Sequence, residues 1–384
     1  MSEKTVTLGT SGTAAAGAPR LPGLLLGGRR AALLCTALVV VFLLVFPLYV
    51  GGFWLRLGLF AMAAAVGAVG LTVLFGAAGQ LSLGHAFFIA VGTYGYAFLS
   101  GEDKGGVSGL GLPPLVAAVL AVALAGVAGL LFSPVASRLR GIYLGIASLG
   151  LVFLGHHLLL NLRPVTGGYD GRSVAPFSLA GHRFTDTSTV EVLGVPFGGV
   201  EHLWYLFLVV LAVAVVVARN VLCGRPGRAY RLMRDSEVGA AAMGVNVPRA
   251  KASAFVLSSV YAGTCGVMTA LAFQRAIPDY FDMHLSIDVL VMIVLGGLGS
   301  VTGALVGATF VIGLPMVLTR YAEALPLVGA AGEAGGLDAS IVAQFAYGAL
   351  VIAAILRQGR SLRLRRTARP DRAAGPPPAA SAAA

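Results

Sequence analysis

Apolar stretches of about 20 residues, repeated along the chain and joined by short links, constrain this sequence more than any other feature. They fall at 31–50, 57–75, 81–99, 113–132, 141–160, 203–222, 252–273, 287–318 and 341–356. A helix of that length crosses ~30 Å of hydrocarbon with its backbone groups bonded internally. The charged fraction agrees, because 11% is far below the ~25% with which a soluble domain covers itself. The 53 glycines allow helices in lipid to approach closely. The predicted fold is an all-α, polytopic transmembrane helix bundle.

The net charge of +11 sits in short segments flanking the apolar runs. That is the positive-inside pattern of a membrane protein and excludes the basic face of a nucleic-acid binder. With Arg29 and Arg30 inside, the link with Arg138 and Arg140 is inside after four crossings. The link 223–251, with Arg225, Arg228, Arg231, Arg234, Arg249 and Lys251, is inside after six. The basic tail after Leu356 asks for an even total. The run 287–318 contains Gly296-Gly297-Leu298-Gly299-Ser300, a natural break. Two passes there bring the total to about ten, with both termini cytoplasmic. The piece 287–299 is short for a full span, so a re-entrant or broken element is expected where protein or a water cavity surrounds it.

Three regions follow. Residues 1–28 form a disordered cytoplasmic tail, and 29–356 form the membrane domain, with 161–202 as its longest external link. Residues 357–384 form a basic, then Pro/Ala-rich tail. The run 31–50 is too long for a signal-peptide core and leads into further spans. The external link is expected to form a flap or small hairpin. Cys35, Cys223 and Cys265 have no metal or redox spacing and read as packing residues.

The internal link is the most informative segment. Asp235, Ser236 and Glu237 suit a helix start, Ala240 to Met243 continue it, and Gly244 suits its stop. Topology needs only charge, whereas a capped, alanine-rich helix between turns suits docking in a partner's groove.

This segment resembles the cytoplasmic coupling loop of ABC importer permeases, in the variant of the branched-chain amino acid (LivH/LivM) family. Further segments match that family in order. The first is Phe75-Gly76-Ala77-Ala78-Gly79-Gln80-Leu81-Ser82-Leu83-Gly84-His85-Ala86-Phe87-Phe88. Arg140-Gly141-Ile142-Tyr143 and Thr166-Gly167-Gly168 follow, then Ser286 to Ser300. The resemblance spans roughly 55 to 356, and the arginine-rich loop and long external link suit the LivM-like half. It implies a coupling site around Arg228, Arg231, Arg234, Asp235, Glu237 and Gly244. The implied partners are ABC ATPase subunits, a second, LivH-like permease and an extracytoplasmic binding protein in the cell membrane. The implied cargo is Leu, Ile or Val, although similar permeases carry urea or short amides. In departure from the pattern, Gly239 replaces an alanine and Ala241 an acid. A glycine inside a helix costs ~1 kcal/mol relative to alanine.

Gln80, Ser82 and His85 stand at a span boundary among glycines that permit an unwound turn. They read either as a polar wall of the translocation path or as helix–helix hydrogen bonding. Asp288 reads either as a substrate contact or, with Ser286, as a helix cap near the outer boundary. The histidines are scattered, so neither a metal, a cofactor nor a catalytic constellation is expected. An ion-coupled carrier would need ionisable groups within the spans, and these are nearly absent. No G-x-x-x-x-G-K-[ST] loop occurs, so ATP would be hydrolysed on a separate chain.

Overall fold

The computed structural model describes residues 37–321 except 104–105, 140, 180–181, 184–189 and 193–194, with scattered residues beyond 327. Both predicted tails, Cys35 and Arg140 lie outside the described residues, as does most of 341–356. Contacts divide the chain into Met1–Tyr49 and Val50–Ala384. The described part of the first unit is the apolar helix α1 (Ala37–Tyr49), along which Phe42 and Phe46 pack at 5.4 Å.

The second unit is a helix bundle. Its α2 (Gly52–Leu71) runs on through a π turn at Thr72–Ala77 and is followed by α3 (His85–Ser100), α4 (Pro114–Arg138) and α5 (Ile142–Asn161). A single turn, α6 (Arg163–Thr166), opens the 161–202 link. Then come α7 (Gly199–Cys223), α8 (Arg225–Asp235), α9 (Glu237–Ala242), α10 (Val247–Phe273), α11 (Met283–Gly296) and α12 (Val301–Arg320). Among the described residues, six helices are long and apolar enough to cross a membrane: α2 with its π turn, α4, α5, α7, α10 and α12.

The glycine-rich break in 287–318 is real. Gly297 (φ 94°) and Gly299 (φ 85°) turn the chain in backbone space closed to other residues, and Ser300 caps α12 by accepting from Gly303 N–H at 3.1 Å. The 14 residues of α11 reach only ~21 Å, short of a full span. The run 81–99 also begins late, because 78–84 is not helical and α3 starts at His85. Two assignments of charge change. Arg138 closes α4, and Arg249 and Lys251 lie in the opening turns of α10, so these three are helix residues and not link residues.

Burial separates the spans. Of the α2 span 83% is enclosed by protein and of α10 72%, against 17% for α7. Small residues allow this. A methyl on Gly92 of α3 would run into the backbone of Gly263 on α10, and Thr93 Oγ1 donates to Gly266 O at 2.8 Å across the same seam. Cys265 is buried in this core, whereas Cys223 is exposed at the end of α7.

At the opposite end from α8 and α9, the described parts of the 161–202 link pair Ser178–Leu179 with His182–Arg183 and Val190–Val192 with Val195–Phe197, and a two-residue ladder joins Arg172–Ser173 to Arg275–Ala276. Arg172 pins this layer: it is 5% exposed, donates to Val165 O (2.6 Å) and Ser108 O (3.1 Å), and stands over the Phe98 ring. Burial holds its pKa below the usual guanidinium range, against the nearby Tyr94 and Asp103.

Candidate functional site

The site grows from the end of α2. In the π turn and just after it the regular α-helical ladder is broken: Ala78 N–H reaches back five residues to Val73 O and Gln80 N–H six to Leu74 O, while Gly79 N–H keeps an α-type bond to Phe75 O, each at 3.2 Å. Gly79 (φ 70°) then turns the chain into an unwound segment that runs to Gly84. Its free amides are met from two other helices and from within. Leu83 N–H donates to Ser148 Oγ of α5 (2.8 Å), Gly84 N–H to Ser82 Oγ (3.3 Å) and Ala86 N–H to Ser286 Oγ of α11 (3.0 Å). Irregular backbone survives at membrane depth only with such enclosure.

Ser286 therefore caps α3 and not its own helix. The cap of α11 is Asp282, which accepts from Leu285 N–H at 3.3 Å, and this replaces the cap expected from Ser286 and Asp288. Ser148 is not singled out by the sequence and Ser286 reads there as a cap of its own helix, because a serine in an apolar run carries no local signal of what it will meet.

Below the unwound segment lie α8 and α9. Gly224 and Pro226 start α8, and its buried face carries Tyr230 and Met233, with Tyr230 Oη 3.0 Å from Ser253 Oγ of α10. Asp235 ends α8 and does not open the next helix; Ser236 caps α9 by accepting from Gly239 N–H at 3.1 Å. Gly239 thus stands in the first turn as the capped donor, where the mid-helix glycine cost does not apply in full. Gly244 (φ 83°) ends the element. Arg228 is exposed and Arg231, also exposed, donates to Leu222 O at 3.0 Å.

Two contacts fasten this layer to the bundle. Arg234 donates through Nη1 to Gly76 O, a carbonyl of the π turn, and the Glu237 carboxylate pairs with Lys251 Nζ of α10 at 2.7 Å. The lysine is nearly enclosed, with its side chain 4% exposed. Inward, α9 presents Ala240; outward, it presents Val238 and Met243, 76% and 64% exposed. Leu139 and Gly141, from the link after α4, join Arg234, Ser236, Lys251 and Gln80 around a cavity of 160 Å³. The links after α4 and α7 therefore lie at one end of the bundle.

The four polar residues of the spans part company. Gln80 lines this small cavity, 5% exposed, and its carboxamide Oε1 and Nε2 find no partner among the described residues. Ser82 bonds its own segment, and His85 is buried beside it, with Nε2 unpartnered among the described residues. Asp288, in the second turn of α11, lines a separate cavity of 620 Å³ walled by Phe60, Ile89, Phe273, Met292 and Val311.

A family model described as "Branched-chain amino acid transport system / permease component" matches residues 53–355. The permease protein LivM of the high-affinity branched-chain amino acid transport system of Salmonella typhimurium (strain LT2) is 32% identical over 256 residues, 64% of this chain and 58% of the relative. Its Escherichia coli (strain K12) counterpart is 31% identical over 255 residues, with the same coverage. LivH of Escherichia coli (strain K12) is 26% identical over 258 residues, 62% of this chain and 76% of the relative. The chain thus spans 58% of the length of the LivM relatives it matches. No solved structure matches it. The matched residues hold the unwound segment, the loop fastened beneath it and the broken α11–α12 pair, and with them the chain belongs to the branched-chain amino acid transport system permease component family.

Proposed function

We propose that this chain is the membrane-spanning permease subunit of an ATP-driven importer of branched-chain amino acids. It works beside a second, LivH-like permease, with separate ATPase subunits on the cytoplasmic side and an extracytoplasmic binding protein delivering Leu, Ile or Val. The observation that carries the reading is α9, a helix braced from behind by the Glu237–Lys251 pair with Val238 and Met243 bare on its outer side. A short rigid helix with an exposed apolar face suits insertion into a groove of a partner. Arg228 and Arg231 are exposed on the preceding α8, and Gly244 ends the α9 element.

The end of the bundle bearing Arg138 and α8 is the cytoplasmic one on the positive-inside rule, and both termini lie on the cytoplasmic side of the cell membrane. Among the polar residues of the spans, Asp288 belongs to the translocation path, since it borders the larger cavity; Ser82 holds the unwound segment together.

Reconstitution with candidate ATPase, LivH-like permease and binding-protein partners tests the reading. Leucine uptake into proteoliposomes that requires ATP is the expected result. Uptake of urea or acetamide in place of leucine would move the chain to another cargo. Uptake by the chain alone on an ion gradient would overturn the importer.

A further inference from the structure

Arg234 is exposed, yet its side chain reaches the membrane domain. Its guanidinium donates to Gly76 O within the π turn, and its stem lies against Gly79, where a methyl would stand 3.0 Å from Cγ and 3.3 Å from Cβ. Gly76 in turn abuts the break between α11 and α12, because a methyl on it would stand 2.7 Å from both the nitrogen and the Cα of Gly299. One arginine of the loop thus holds a point at which two irregular membrane segments touch. Beside it the Gln80 carboxamide, nine-tenths buried and unpartnered among the described residues, faces the small cavity that also borders Ser236 and Lys251.

We infer that Arg234 is a positioning residue for transport: it clamps the α8–α9 loop to the π turn, so that displacement of the loop is delivered to the unwound segment after α2 and to the α11–α12 break together. The inference rests on the importer reading and assigns Arg234 a role distinct from the docking surface of α9. A π turn suits the role, since it interrupts the regular α-helical ladder and such turns recur at functional sites. The Glu237–Lys251 pair is the second strap of the same clamp, on the α10 side.

The test uses the complete reconstituted complex and reads substrate imported per ATP hydrolysed. Arg234→Ala is expected to lower that ratio at least tenfold in complexes that assemble in wild-type amounts. Arg234→Lys, which keeps a donor for Gly76 O, is expected to recover a substantial part of it. A wild-type ratio in Arg234→Ala overturns the inference. So does joint loss of assembly and hydrolysis, which would make Arg234 a docking residue. Should Arg234→Ala fail to accumulate, the double variant Glu237→Gln/Lys251→Met loosens the other strap without stranding a buried charge. It is expected to show the same low ratio, and a wild-type ratio there overturns the inference. Failure of the importer reading itself is distinguishable, because the wild-type complex would then show no ATP-dependent import.

Discussion

Helices α2 and α7 are comparably apolar and both are long enough to span, yet they live in different solvents. With its π turn, α2 has 83% of its span enclosed by protein, whereas α7 has 17% and turns Val209, Val213 and Val216 outward. Lipid is as apolar as a helix face, so hydropathy cannot separate the two; packing detail can. The enclosed helix reads GLFAMAAAVGAVGL over Gly58–Leu71, and the outward one LVVLAVAVVV over 208–217. Small side chains permit backbones to meet, and bulky branched ones fill lipid contact. The irregular chemistry, π turn and unwound segment together, continues from the enclosed helix, where other parts of the protein are close enough to bond it.

The sharpest way to break this comparison is a bulky residue in the seam next to α2. Gly266→Val places side chain against Ile89 O and Thr93 N, and cannot be absorbed by a flexible neighbour. Overpacking of this kind costs about 1–3 kcal/mol or more, and the expected outcome is loss of monodisperse protein on size-exclusion chromatography in detergent. The same substitution at Gly150, where nothing stands within 4 Å, is expected to leave the elution profile intact.

Glu237→Gln comes next, since it leaves the enclosed Lys251 ammonium without its carboxylate. Removing one partner of a buried pair costs about 3–5 kcal/mol, with the partial exposure of Glu237 placing the expected loss at or below the lower end. Lys251→Met in the same chain should restore most of the thermal stability, as a double-mutant cycle would measure.

A smaller effect is expected across α2 and α7 themselves. Val69→Ala, at a fully buried position, should lower thermal stability by about 1–2 kcal/mol. Val216→Ala, at a position 55% exposed, should stay within about 0.5 kcal/mol. Equal losses at the two sites would break the comparison. Ser286→Ala tests the enclosure of irregular backbone. It strands Ala86 N–H, for about 1–2 kcal/mol, and hydrogen exchange of that amide should accelerate.

The sequence by itself determined a good deal. Runs of apolar residues specify spanning helices because only internally bonded backbone survives in lipid. The break at Gly297–Ser300, the unwinding after Gly79 and the stop at Gly244 were legible because positive φ needs glycine there. Ser236 was legible as part of a helix start because a hydroxyl beside an acid suits an N-terminus.

Only the tertiary structure decided the rest. It moved Lys251 from a topology signal in a link to a buried partner of Glu237, and Ser286 from capping its own helix to capping α3. It also separated Asp288 from Gln80 by placing them on different cavities. These outcomes depend on which helix lies beside which. The pair Ala86 and Ser286 is 200 residues apart, and that distance is crossed only when the chain packs. Local pattern carries propensity and period, but the partner of a polar group in a bundle is set by the close approach of backbones, which small residues permit and do not specify.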